Sequence, residues 1–309
     1  MQTPREGLQA MANRSVGFIG LGFMGEGMAT NLLTKGNPLL VMANRRREAV
    51  DRLVALGAGE VKSPAEMARG ADVIFLCVTG SADVEAVIEG TDGILAGARP
   101  GLVVIDCSTS EPTTTLHLSE RLQTVGAHFV DAPLGGTPAG AAAGTLQALV
   151  GASDAVFEQV KPLIACWAAT IVHVGPVGAG HKMKLLNNFL SLGYAGLYSE
   201  ALSIGQKVGI SPDTFHSVIS KGRMQCGFYD TFMNYVIDGN ENAHPFTISN
   251  AYKDLRYLAA MADDARAVNT LGEAVKNNFA AMTAAGEGEK FVPMISDFIA
   301  AQNGTKLKN

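Results

Sequence analysis

Cysteine is scarce in this chain. Its four cysteines, Cys77, Cys107, Cys166 and Cys226, form no CxxC pair, and two of them lie in apolar, strand-like runs. That pattern argues against a disulfide framework and reads as buried thiols in a reducing compartment. The six histidines are scattered, with neither HxxxH nor HExxH spacing, so no metal centre is expected. No apolar run approaches the roughly 20 residues that a membrane helix requires. The opening stretch, MQTPREGLQAMANRS, holds two Arg and a Glu but no apolar segment of a signal peptide. Residues 1–14 therefore read as a short flexible tail. A dominant charge is also missing. The net charge of −5 argues against a general nucleic-acid or anionic-membrane binder. The acidic balance and the lack of a targeting signal make the cytoplasm the expected location.

What is present is an ordinary globular balance, 47% hydrophobic and 17% charged, which excludes a disordered chain. With 309 residues the chain is twice the ~150 residues of one domain. Short apolar or β-branched runs recur at 16–19, 39–42, 73–77, 102–106 and 127–131, with later runs at 146–150 and 170–174. Most are apolar throughout rather than alternating, as in strands of a parallel sheet covered on both faces. Helical periodicity fills the gaps, as at 25–35 and 48–56. Strand–helix alternation of this kind predicts an α/β fold with a doubly wound sheet.

The grammar changes near residue 175. The breaker cluster Gly175-Pro176-Val177-Gly178-Ala179-Gly180 precedes a helical stretch, 181–208, that carries Leu185, Leu186, Phe189, Leu190, Leu197, Leu202 and Ile204. A helix that is apolar on most faces is expected to be buried between other elements. Ser211-Pro212-Asp213 has the composition of a helix start. Helical periodicity continues at 248–263, 268–285 and 291–302. These patterns predict an α/β domain at 15–178 and an all-α domain at 179–309 that opens on a long helix at the boundary.

One turn carries specific chemistry. Val16-Gly17-Phe18-Ile19 is a strand, followed by Gly20-Leu21-Gly22-Phe23-Met24-Gly25 and a helix. In this GxGxxG pattern Gly20 permits a tight turn, Gly22 lets the backbone approach a pyrophosphate, and Gly25 lets the helix pack close to the strand. The diphosphate would lie at the positive helix N-terminus. The domain therefore reads as a Rossmann-type dinucleotide-binding domain. Past the second strand, where a carboxylate would accept from the ribose of NAD, the chain has Asn44-Arg45-Arg46-Arg47. Asn removes a charge that would repel a 2′-phosphate, and a guanidinium can clamp that phosphate. NADP is favoured over NAD, with Arg45 as the first choice of ligand and Arg46 beside it. A solvated helix start is the plainer reading for one or two of these arginines.

Lys184 and Asn188 are four apart and share one helix face. They lie in the first turns of the apolar stretch, where a Lys is costly unless paired, exposed at a cleft or functional. A lysine so placed can act as a proton donor, and Asn188 can hold the substrate oxygen or the amine. Lys182 points to another side and reads as solvent-facing.

Four motifs then occur in order: the FIGLGxMG turn at 18–25; Asp131-Ala132-Pro133-Leu134-Gly135-Gly136-Thr137-Pro138-Ala139-Gly140 with its continuation to Leu146; GxGxxxKxxNN from Gly178 to Asn188; and Lys253-Asp254-Leu255. Through them the chain resembles the β-hydroxyacid dehydrogenase family, related to 3-hydroxyisobutyrate dehydrogenase and to the tartronate, glyoxylate and succinic semialdehyde reductases. The resemblance implies Lys184 as catalytic lysine and Asn188 as substrate-binding asparagine. It places Thr109 near the nicotinamide and Lys253 against cofactor and substrate. It makes Phe246 and Asp254 shape the pocket, and puts Cys77-Val78-Thr79 beside the adenosine ribose. Leu134, Gly135, Gly136 and Thr137 form its substrate loop.

One departure is informative. Most members read DAPVSGG, and the serine hydroxyl is absent at Gly135, so backbone N–H groups and Thr137 would have to meet the substrate anion. The loop variant resembles the sulfolactaldehyde reductase branch, in which an Arg occupies the position of Gly136. Its absence here leaves a small carboxylate as the expected substrate. The resemblance and the long apolar helix also imply a homodimer or homotetramer. Two other readings stay open, an imine reductase on the same scaffold, against which Lys184 argues, and a non-catalytic dinucleotide-binding protein.

Overall fold

A computed structural model describes residues 14–44 and 46–307. Arg45 and nearly all of the expected N-terminal tail lie outside the described residues. The chain divides into two compact units, one ending at Lys184 and one running from Leu185.

The first unit alternates strands and helices: β1 (Val16–Ile19), α1 (Gly25–Thr34), β2 (Leu39–Val41), α2 (Glu48–Ala55), β3 (Gly59–Glu60), α3 (Pro64–Gly70), β4 (Val73–Leu76), α4 (Ser81–Glu89), β5 (Val103–Asp106), α5 (Pro112–Gln123), β6 (His128–Asp131), β7 (Leu134–Gly135), α6 (Pro138–Ala143), β8 (Leu146–Gly151), α7 (Asp154–Ile164) and β9 (Ala168–Gly175). The sheet order is β3-β2-β1-β4-β5-β6-β8-β7, with β9 on β8. Strand side chains alternate between two cores. Val16, Phe18, Val73, Phe75, Val103 and Ile105 enter one, while Ile19, Ile74, Leu76 and Val104 enter the other. This two-sided burial is why these strands are apolar throughout. Phe18 stacks on Phe75, which meets Trp167 edge-on.

The parallel sheet expected from the sequence holds from β3 across to β6. It fails beyond, because β8 runs antiparallel to both β6 and β7. Residues 136–145 between β7 and β8 fall short of the crossover of about a dozen residues that a parallel return needs. The order reverses between β1 and β4, the switch point outside whose carboxyl ends ligands of such sheets bind.

The long helix α8 (Ala179–Lys207) begins in the first unit and continues into the second, which adds α9 (Pro212–Ile219), α10 (Gly227–Asp238), α11 (Ile248–Asp264), α12 (Thr270–Ala284) and α13 (Ile295–Gln302). Its core holds Leu192, Tyr229, Phe232, Ile248, Leu255, Phe279 and Ile295. Ser211 caps α9 as expected, its hydroxyl accepting from Thr214 N at 3.2 Å. The expectation that α8 is enclosed is corrected within this chain. Leu190 is 56% exposed, Leu197 62% and Ile204 59%. The apolar residues outnumber those one buried stripe can hold, and the surplus faces outward. No helix among the described residues is long and apolar enough to cross a membrane.

Candidate active site

The glycine-rich turn after β1 is built by close backbone approach. Gly20 sits at φ +98°, and a Cβ there would lie 2.2 Å from the Cys77 carbonyl oxygen. A Cβ at Gly25 would lie 1.9 Å from the Gly20 carbonyl oxygen. Both positions therefore require glycine. In front of Gly22, no atom of the described residues stands within 4 Å of the Cβ position. No side chain caps α1 at Met24. Glu26, the acid in the first turn of α1, is held by Arg52 at 2.6 Å. A close backbone, open space and an uncapped helix N-terminus fit the diphosphate of a dinucleotide. Leu21 packs inward, while Phe23 is 88% exposed.

Past β2, Asn44 and Arg46 are exposed. Arg47 is committed elsewhere, forking onto Glu60 at 2.9 and 3.0 Å and reaching Asp51 at 3.0 Å. It is the solvated-face arginine. Arg45, the first-choice ligand, lies outside the described residues.

The next loops leave the carboxyl ends of β4 and β5. Val78 N donates to Ser108 Oγ at 3.0 Å, which joins the Cys77–Thr79 loop to the turn bearing the half-buried Thr109. Ser108 N and Ser110 Oγ donate to the two oxygens of Asp106 at 2.8 and 2.7 Å, pinning Thr109 from both sides. Burial, with Asp106 beside it, pushes the Cys77 thiol up to about 12, so this thiol stays protonated and unreactive.

At the loop after β6, Lys184 Nζ donates to the Leu134 carbonyl oxygen at 2.6 Å. The structure thus brings the lysine of the third motif onto the loop of the second. Gly135 pairs with Gln147 across β7 and β8, and a Cβ at Gly135 would lie 3.1 Å from Gln147 Oε1. The absent serine leaves room that the Gln147 amide borders, a contact the sequence reading missed. Gly136 adopts φ +125°, and a Cβ there would press on Leu146 Cδ2 at 2.7 Å. An arginine at this position would be strained in this loop. Thr137 Oγ1 accepts from Gly140 N at 3.3 Å and caps α6.

In the second unit, Asn188 Nδ2 donates to Asp254 Oδ2 at 2.6 Å, and Lys253 Nζ lies 3.2 Å from Asp254 Oδ1. The ammonium of Lys253 also stands 5.3 Å from the centre of the Tyr257 ring. Asp254, almost fully buried, therefore orients both residues. Phe246 is half-buried and meets His244 edge-on.

A further cluster escaped the sequence reading. Asp106, Asp131 and His181 are all buried at the carboxyl end of the sheet. Asp131 accepts from Gly178 N at 2.7 Å and His181 N at 2.8 Å, capping the start of α8. The available signal was an acid closing each of two adjacent apolar strands. No local spacing pairs those acids with His181.

Comparison with known proteins agrees with this architecture. The family model described as the NAD binding domain of 6-phosphogluconate dehydrogenase matches residues 15–175. One described as the NAD-binding of NADP-dependent 3-hydroxyisobutyrate dehydrogenase matches residues 178–296. The chain is 37% identical over 241 residues to 2-(hydroxymethyl)glutarate dehydrogenase of Eubacterium barkeri, covering 78% of this chain and 79% of that one. It is 32% identical over 300 residues to a probable mitochondrial 3-hydroxyisobutyrate dehydrogenase of Dictyostelium discoideum, covering 94% and 92%. The solved 3-hydroxyisobutyrate dehydrogenase of Mycobacterium tuberculosis with L-serine superposes with a TM-score of 0.83 at 25% identity, over 93% of this chain and 99% of that one. With the glycine-rich turn, the lysine-bearing helix and these matches over both units, the chain belongs to the β-hydroxyacid dehydrogenase family, NAD(P)-dependent oxidoreductases of CH–OH groups.

Proposed function

We propose that this chain interconverts a small β-hydroxy acid and its semialdehyde with NADP(H), using Lys184 as general acid and base. The observation that carries this reading is the bond from Lys184 Nζ to Leu134 O, which holds an ammonium at the loop that the resemblance assigns to the substrate. In reduction the ammonium donates a proton to the developing alkoxide. In oxidation the neutral amine takes the hydroxyl proton. Asn188, one turn further along the same face of α8, steadies that oxygen, and Asp254 fixes the amide. The nicotinamide, when bound, supplies the hydride. The 20–25 turn holds the diphosphate, Cys77–Thr79 and Thr109 line the nucleotide, and Asn44, Arg45 and Arg46 receive the 2′-phosphate. Backbone N–H groups of 134–137 and the Gln147 amide take the acid end. Phe246 and Lys253 keep the roles that the resemblance gives them.

The compounds named for the relatives narrow the substrate. 2-(Hydroxymethyl)glutarate, 3-hydroxyisobutyrate and L-serine each join a hydroxymethyl group to a carbon that bears a carboxylate. A primary alcohol β to a carboxylate is therefore the substrate class. The test is NADPH oxidation with 3-oxo acids such as malonic and methylmalonic semialdehyde, with glyoxylate and succinic semialdehyde as chain-length controls, beside cyclic imines. At least one semialdehyde should reach kcat/KM of about 10⁴ M⁻¹s⁻¹, with NADPH preferred over NADH by about tenfold. Equal use of NADH overturns the cofactor reading. Turnover of imines alone would establish the imine reductase, and NADPH binding with no carbonyl reduced would establish the non-catalytic binder.

The exposed stripe on α8 supports self-association. Met183, Leu190, Leu197 and Ile204 recur at every seventh position and all are exposed. A seven-residue apolar repeat is the seam along which helices pack on one another. We infer a homodimer or homotetramer through this face. Leu197→Glu is expected to give a monomer in sedimentation velocity at micromolar concentration. A monomeric wild type would overturn the assignment.

A further inference from the structure

The buried cluster around His181 has no part in the proton and hydride steps above. Asp106 and Asp131 are register partners on the adjacent parallel strands β5 and β6, and both are fully buried. Two carboxylates in that relation repel one another unless a proton or a cation lies between them. His181, equally buried, stands there, with Nε2 3.6 Å from Asp106 Oδ2 and Nδ1 4.0 Å from Asp131 Oδ2. The Ser108 carbonyl oxygen, 3.2 Å from Nε2, can only accept, so Nε2 carries hydrogen and donates to it. The Thr115 hydroxyl meets Nδ1 at 2.7 Å on the other side of the ring. Each oxygen of Asp106 and of Asp131 accepts from a further protein donor.

We propose that His181 is a positioning residue: its buried ring clamps the Ser108–Thr109 turn to the first turn of α8 and so sets where Lys184 stands. The proposal rests on the reading of Lys184 as acid and base. Ser108 is the knot. Its carbonyl receives the ring, its hydroxyl holds Val78 N, and its own N–H is held by Asp106. A single ring thus ties the loops after β4 and β5 to the helix that carries the lysine. Without it these segments keep their backbone bonds but lose their common register, and small misplacements slow proton and hydride transfer.

The test uses full-length protein with ¹⁵N-labelled histidine, bound to NADPH at mildly alkaline pH. One imidazole, identified by its loss in His181→Gln, is expected to carry a proton on Nε2; a bare Nε2 overturns the proposal. His181→Gln should lower kcat for malonic semialdehyde about tenfold, with KM and the NADPH dissociation constant within about twofold. Thr115→Val removes the hydroxyl on Nδ1 without changing a residue of α8 and should lower kcat about threefold, and Thr115→Ser should restore it. Unchanged kcat in a folded His181→Gln, or in Thr115→Val should His181→Gln not fold, overturns the proposal. The ring signals need no turnover. A wild type inert toward the semialdehydes overturns the reading of Lys184, whereas a bare Nε2 overturns this one.

Discussion

Lys184→Met is expected to slow reduction of the accepted semialdehyde by about a thousandfold while the chain still folds and binds NADPH. The size follows from the role. General acid–base catalysis by one positioned side chain supplies roughly 10² to 10⁴ in rate, and methionine matches the length of lysine without a proton to give. The lost bond to Leu134 O removes a charged donor from a carbonyl, worth about 1.5–3 kcal/mol at the upper end of such bonds. Because Lys184 is half-buried, the realised loss should fall near the lower figure. Single-turnover decay of NADPH fluorescence reads the chemical step, and calorimetry reads the stability. Lys184→Arg separates charge from proton transfer. It keeps a cation near the loop but holds its proton at all accessible pH, so it should be nearly as slow. Wild-type rates in the methionine variant would show that another group moves the proton.

Gly25→Ala is expected to raise the NADPH dissociation constant by about a hundredfold, or about 2.7 kcal/mol. The added carbon would sit 1.9 Å from the Gly20 carbonyl oxygen, a backbone atom that no rotamer change can move aside. Either the turn opens or α1 slides away from β1, and both spoil the close backbone that the diphosphate needs. Crowding of this kind also costs about 1–3 kcal/mol of stability, so thermal unfolding should be recorded beside the fluorescence titration. Gly22→Ala is the control, because a Cβ there meets no atom of the described residues within 4 Å. It should leave the melting temperature in place and weaken only binding. Undiminished NADPH affinity in Gly25→Ala would mean that this turn is not the nucleotide cradle.

The parts of the fold that could be read in advance were those whose signal is local. β1 coincides with the predicted run 16–19, and β2, β4, β5 and β6 differ from theirs by a residue at one end. Each is buried on both faces, which writes an unbroken apolar word into the chain. β3 and β7 were missed because two residues carry no period. The direction of β8 was missed because side-chain pattern does not encode strand polarity; the length of the preceding link does. The site divides in the same way. Gly20, Gly22 and Gly25, and Lys184 with Asn188, are spacings within one turn or one helix. His181 meets Thr115 and Ser108 across 66 and 73 residues, and Lys184 meets Leu134 across 50.

Sequence by itself determined the alternation of strand and helix, the glycine-rich turn after β1 and the lysine-bearing helix, because each rests on periodicity or steric need within a few residues. Tertiary structure alone decided which arginine is spent on Glu60, which loop the lysine reaches, and why two acids end neighbouring strands. Those outcomes depend on where distant segments are held in space. Charges buried side by side must find partners there, whatever their separation along the chain.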